Sequence, residues 1–189
     1  MRFPLAPVAA LAVLAPFLFA ANVPRPAPEL AFRLTGGQTA TLSQWHGKVI
    51  LLEFLLTTCS HCQRTSQTMN KLQAEYASRG VQSLGVAVND ENGSLTAGYV
   101  KEFGLTYPVG WAKHQVAVDF LQHPVMVSMM MPQLVVIDRK GMIRAQYPGT
   151  DPFFEKEEAG IRKWIGSLLK ESGGSRTRAA GKAAPKQAK

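Results

Sequence analysis

The chain has 189 residues, is 46% apolar and carries a formal charge of +8. That apolar fraction supports one globular domain with a packed core, plus extensions. Six basic residues, Arg2, Arg176, Arg178, Lys182, Lys186 and Lys189, sit at the two ends; removing them leaves +2 for residues 3–175, which excludes a nucleic-acid footprint on the body of the protein.

The chain opens with Met1 and Arg2, followed by an apolar stretch from Phe3 to Ala21. One cation before an apolar run reads residues 1–21 as a signal peptide, cleaved near Ala20 or Ala21, or as an uncleaved N-terminal anchor over residues 3–21. Pro4, Pro7 and Pro16 interrupt the run and argue against a regular membrane-spanning helix. Export places the protein outside the cytoplasm, periplasmic or secreted, where disulfides persist. Residues 22–29, with Pro24, Pro26 and Pro28 alternating, read as a linker, and the folded domain is assigned to residues 30–171. Ala31 to Leu34 and Thr39 to Leu42 form a predicted hairpin around Gly36-Gly37. The almost wholly apolar run Lys48 to Leu56 predicts a strand buried on both faces, as does Val81 to Val88. Met69, Leu72 and Tyr76 recur at helical spacing and place a helix over Gln63 to Arg79. Further helices are predicted around Leu95 to Phe103 and Val116 to Leu121. Gln133 to Ile137 and Met142 to Tyr147 read as strands joined by the tight turn Arg139-Lys140-Gly141. Asp151-Pro152 starts a last helix, with Asp as N-cap, Pro in the first turn, and Ile161, Trp164, Ile165 and Leu168 on the core face. Residues 172–189 lack the apolar side chains that offset ordering entropy, so they read as a disordered basic tail.

Cys59 and Cys62 are the two cysteines of the chain, so sulfur redox chemistry is confined to Cys59-Ser60-His61-Cys62 and no cysteine is spare for a separate structural bridge. A predicted strand leads into this tetrapeptide and a predicted helix leads out. Thiol–disulfide exchange needs a thiolate, and a free cysteine has a pKa of about 8.5. The start of a helix supplies unpaired N–H groups and the positive end of the dipole, which favour an anion at Cys59. Cys59 is therefore expected to be the exposed attacking nucleophile, and Cys62, one turn further in, the resolving thiol. His61 is expected to act as an imidazolium that stabilises the reduced pair and makes the disulfide more oxidising. Glu53 stands alone in an apolar run, six residues before Cys59. Buried there without a charge partner, it would have a raised pKa and accept the proton of Cys62. The other reading is an edge-strand acid facing water.

Beyond the cysteines, Thr41-Leu42-Ser43-Gln44-Trp45, Gly47-Lys48-Val49, Gly104-Leu105-Thr106-Tyr107-Pro108-Val109 and the run from Met131-Pro132-Gln133 to Lys140-Gly141 carry a resemblance. From about Leu30 to Leu169 the chain resembles the thioredoxin superfamily, and within it the extracytoplasmic TlpA/ResA-like thiol–disulfide oxidoreductases, which border on the AhpC/TSA redoxins. The resemblance implies an α/β thioredoxin-like fold, a central mixed β-sheet flanked by helices, with a TlpA-type insertion of a strand and a helix in the 70-residue interval between Cys62 and Pro132. It implies that Pro132 is cis and faces the cysteines, that Met131 offers its backbone to a bound polypeptide, and that Glu53 matches the buried acid of thioredoxin. It also implies no cofactor beyond the Cys59–Cys62 disulfide. The implied partners are disulfide- or thiol-bearing proteins, including a membrane-bound or soluble redox partner, with the chain acting as a monomer. Two positions depart from the family. Thr58 stands where Trp usually precedes the first cysteine, which alters the surface beside the nucleophile. Ser60-His61 resembles the Pro-His and Gly-His pairs of oxidases and isomerases more than the Gly-Pro of reductases, which leaves the direction of electron flow open within a span of about −270 to about −120 mV.

Peroxiredoxins resemble this fold but carry Pro and Thr where this chain has Leu52 and Leu56, seven and three residues before Cys59. The alternative function is a Cu(I)-binding metallochaperone. Two thiolates with the thioethers of Met126, Met129, Met130 and Met131, in the segment before Pro132, suit that ion. Zinc is disfavoured because His46, His114 and His123 show no ligand spacing, so no metal site is assigned.

Overall fold

The computed structural model of the chain describes residues 22–179, with side-chain surroundings up to Glu171. Residues 1–21, read as a signal or anchor, and residues 180–189 lie outside the described residues. In chain order the elements are β1 (Arg25–Pro26), β2 (Ala31–Leu34), β3 (Thr39–Thr41), β4 (Val49–Leu55), α1 (Ser60–Tyr76), β5 (Val81–Ala87), α2 (Ser94–Phe103), β6 (Val109–Trp111), α3 (His114–Leu121), β7 (Gln133–Ile137), β8 (Met142–Pro148) and α4 (Glu157–Ala179). The described strands form one mixed sheet in the order β1-β8-β7-β4-β5-β6-β2-β3. Among the described residues no helix is long and apolar enough to cross a membrane.

β4 lies inside the sheet because all of its residues can be, and are, buried. It pairs in parallel with β5 and antiparallel with β7. Side chains alternate across a strand. Val49, Leu51 and Leu55 enter a core shared with Met69 and Leu72 of α1, Tyr99 of α2, and Ile161, Ile165 and Leu168 of α4. Ile50, Leu52 and Phe54 enter the opposite core, with Phe120 and Leu121 of α3. The same alternation puts Glu53 on the α1 side, between Leu51 and Leu55. A one-residue slip would carry every one of these side chains through the sheet, so the register that seats Glu53 is held by the whole strand.

The long elements match their sequence expectations, and the departures have local causes. Residues 22–29 are not a free linker, because Arg25 and Pro26 pair antiparallel with Ile143 and Met142 of β8. Arg25 is 9% exposed, and its Nη2 donates to the Phe120 carbonyl at 2.8 Å and to Gln146 Oε1 at 3.2 Å. The alternating prolines hid this segment, since proline is compatible with an edge strand. Helical backbone continues through residues 172–179, which composition assigned to a disordered tail. Once the packed turns around Ile161 and Leu168 have nucleated α4, each further residue adds one backbone hydrogen bond. β6 gives no sequence signal because three residues cannot display alternation. Its Gly110 lets β2 approach, as an added Cβ would run into the Arg33 carbonyl. Between β5 and β7 lie α2, β6 and α3, a strand and a helix more than a single-helix crossover, as the resemblance implied.

Candidate active site

A turn carries the chain from the end of β4 to Cys59, whose N–H donates to the Leu56 carbonyl at 3.1 Å. Asn89, just beyond β5, ties this turn down: its Oδ1 accepts from Thr57 N–H at 3.1 Å and its Nδ2 donates to Thr57 Oγ1 at 3.0 Å. Cys59 is the N-cap of α1, with extended backbone at φ −87° and ψ 115°, and its Sγ accepts from the Cys62 N–H at 3.4 Å. The sulfur thereby takes up one of the N–H groups that a helix start leaves without an intrahelical partner. The helix begins at Ser60 rather than Gln63, which places Cys62 inside its first turn. Both cysteines are free thiols, so the structure holds the reduced pair. Cys59 is half-buried, whereas Cys62 is 0% exposed. Thr58 and Ser60 are exposed on either side of Cys59.

The Met131–Pro132 bond is cis, and the Met131 carbonyl oxygen lies 4.0 Å from Cys59 Sγ. Two donors brace this segment: Gln133 Nε2 and the Gly149 N–H reach the Met130 carbonyl at 2.7 Å and 3.0 Å. Glycine is required at position 149, because an added Cβ would run into the Met131 carbonyl. Met126 is 93% exposed and Met130 52% exposed, while Met129 and Met131 pack against the α3-side core. The segment therefore does not present its four thioethers as one set. Among the described residues no group of three His, Cys, Asp or Glu side chains could hold a metal ion.

Glu53 is 0% exposed, which settles against the water-facing reading. Ser66 Oγ donates to its Oε2 at 2.7 Å, while its Oε1 is buried without a hydrogen-bond partner. Burial pushes the carboxyl well above the usual carboxylate range; the Ser66 hydrogen bond opposes the shift, and the charges of Glu157 and Cys59 add to it. Burial also pushes the Cys62 thiol far above an ordinary thiol, reinforced by its hydrogen bond with Cys59 and by the charge of Glu53. Two groups that become negative on losing a proton, set in one low-dielectric pocket, hold at least one proton between them at neutral pH.

His61 differs from its expectation. Burial, and secondly the charge of Arg64, lower its pKa below the ordinary 6.5, so the neutral imidazole predominates at pH 7. Its ring sits edge-on to Phe154, with centroids 4.7 Å apart and an interplanar angle of 78°. The imidazolium role is therefore corrected: a ring packed on Phe154 beside a guanidinium charge resists gaining a proton.

Sequence reasoning missed Ser66, Tyr99, Asn89 and Gly149. A signal for Ser66 was present, because it lies four residues after Cys62 and so on the same face of α1. The other three come from distant parts of the chain, and nothing local marks them.

The Redoxin family model matches residues 22–161. A thioredoxin-like protein of Bacillus subtilis, YneN, is 26% identical over 133 residues, covering 70% of this chain and 75% of that protein. The thiol-disulfide oxidoreductase ResA of Geobacillus kaustophilus is 30% identical over 125 residues, covering 66% of this chain and 68% of ResA. A solved thiol:disulfide interchange protein of the thioredoxin family from Chlorobium tepidum superposes with a TM-score of 0.65 at 26% identity, covering 79% of this chain and 99% of that one. The fold is thioredoxin-like, and the chain belongs to the Redoxin family as a thiol–disulfide oxidoreductase.

Proposed function

We propose that the protein exchanges disulfides with partner proteins outside the cytoplasm, acting as a monomer through Cys59 and Cys62 and needing no further cofactor. The observation that carries this reading is the asymmetry of the pair. One thiol is half-exposed at a helix start beside the Met131 carbonyl, and the other is sealed in next to a buried carboxyl. As a thiolate, Cys59 Sγ attacks one sulfur of a partner disulfide, forming the mixed disulfide and expelling the other partner sulfur as a thiolate. The Cys62 proton passes to Glu53, and Cys62 Sγ attacks Cys59 Sγ. The mixed disulfide breaks, the second partner thiolate leaves, and the protein is oxidised while the partner is reduced. The same steps in reverse oxidise a dithiol partner. Met131 and Pro132, beside Cys59, are assigned to polypeptide docking, with Thr58 and Ser60 on the rim. The apolar run behind Arg2 supports export.

Cys62→Ser tests the mechanism. Incubated with a protein disulfide, this variant should accumulate a mixed disulfide that reductant releases and that Cys59→Ser abolishes. Absence of any Cys59-linked adduct would overturn the reading.

A further inference from the structure

Two buried hydroxyls continue inward from Glu53. Ser66 Oγ donates to Glu53 Oε2 at 2.7 Å, and Tyr99 OH donates to Ser66 Oγ at 2.9 Å. A third hydroxyl, that of Tyr107, donates to the Ser66 backbone carbonyl at 3.4 Å and braces α1 at this residue. Ser66 is 0% exposed and Tyr99 3% exposed, in the largely apolar core on the α1 side of the sheet. A buried hydroxyl is costly unless it is paired, and this pair satisfies itself only through Glu53. Tyr99 is delivered from outside the strand-helix unit that bears the cysteines. It lies on α2, whose start is pinned by Asp90: Oδ2 accepts from both the backbone N–H and the hydroxyl of Thr96 at 2.7 Å.

The hydrogen count sets the direction of this chain. An ionised carboxylate only accepts, so Ser66 must donate to it. With its one proton committed, Ser66 can only accept from Tyr99. If Glu53 were protonated on Oε2, its bond with Ser66 would have to reverse, and either the Ser66 proton or, if Ser66 turned to donate to Tyr99, the Tyr99 proton would lose its acceptor in this buried chain. Oε1 has no such commitment. We infer that Ser66 and Tyr99 are positioning residues that clamp Glu53 through Oε2, so that the proton leaving Cys62 is taken by Oε1. The inference rests on Glu53 being the proton acceptor of the resolving step, and it makes the helix α2 of the central insertion a working part of the redox site.

The other titratable groups acting on Glu53 are Cys59 and Cys62 from α1 and Glu157 from α4, with Tyr99 and Tyr107 coupled to it from α2 and the segment before β6. The neighbouring strands place the uncharged Gly85 and Leu134 opposite it.

The test is biphasic release of aryl thiolate from an aromatic disulfide reagent. The first phase reports attack by Cys59, and the second reports displacement by Cys62 with its proton passing to Glu53. Followed against pH, the second phase should lose its Glu53 inflection in Glu53→Gln. Ser66→Ala and Tyr99→Phe should each move that inflection to higher pH, because each weakens a hydrogen bond that favours the carboxylate. Each should also slow the second phase about fivefold at neutral pH, the ratio set by one buried hydrogen bond of about 1 kcal/mol. In the Glu53→Gln background neither should have any further effect on the pH profile. If Glu53→Gln leaves the profile unaltered, Glu53 is not the acceptor, and this inference falls with that reading. If Glu53→Gln abolishes the inflection but Tyr99→Phe and Ser66→Ala leave it in place, the clamp alone is refuted, even where those variants melt earlier.

Discussion

Glu53→Gln keeps the shape of the side chain and an oxygen for Ser66 while removing the titration. The folded-state carboxyl is raised, so its contribution to stability is fully present below the unfolded value of about 4.3 and is lost as pH rises through the folded value. Between those limits the native state holds a proton that the unfolded chain releases, and stability falls by about 1.4 kcal/mol per pH unit. The loss ends where the folded carboxyl ionises, which it must do to accept the Cys62 proton. For a domain of this size each pH unit of that loss is roughly 3–6 °C in Tm. His61 works with the opposite sign, since its depressed pKa gives stability that is present above 6.5 and lost as pH falls through the folded value. Glu157, raised by burial, shares the sign of Glu53. Both contributions occur in the two proteins and drop out of the difference, apart from the relief Glu157 feels when the Glu53 charge is removed. The assay is urea unfolding of fully reduced protein at about pH 5, 6 and 7. The stability of the variant relative to the parent should climb steadily across this range. A constant gap between the two curves would refute a raised, proton-holding Glu53 and the base assigned to Cys62 with it.

Gly149→Ala should push on the Met131 carbonyl, lowering stability by about 1–3 kcal/mol as overpacking does. It should also slow reaction with a protein disulfide more than with a small aromatic disulfide, which needs no docking segment. Equal slowing of both would remove the docking role from Met131 and Pro132. His61→Ala should change the reduction potential of the pair by less than about 30 mV at pH 7, because a neutral ring contributes little charge stabilisation. Equilibration with glutathione at pH 7 measures it, and a larger fall would restore the imidazolium.

What the sequence made legible follows the range of each interaction. The strand over Val49 to Leu55 and the cysteine pair at a helix start are each marked by a few adjacent residues, and the cis proline before Gln133 stands where the family resemblance put it. Glu53 was identifiable because a carboxylate in an unbroken apolar run contradicts its neighbours. His61 was misread because its charge state is set first by burial, where its ring packs on Phe154 from the segment before α4, and then by Arg64. Arg25 was missed because its partners, Phe120 and Gln146, are nearly a hundred residues or more away in sequence. The same distance rule bears on the chemistry. A local pattern suffices to place a thiol at the head of a helix and an acid in the strand before it. Which oxygen of that acid is free to take a proton depends on Tyr99, thirty-seven residues beyond Cys62. Only the assembled fold, with α2 seated by Asp90 and Thr96, brings that hydroxyl onto Ser66. The insertion between β5 and β7 is therefore where chains sharing this cysteine motif can come to differ in how the resolving thiol is deprotonated.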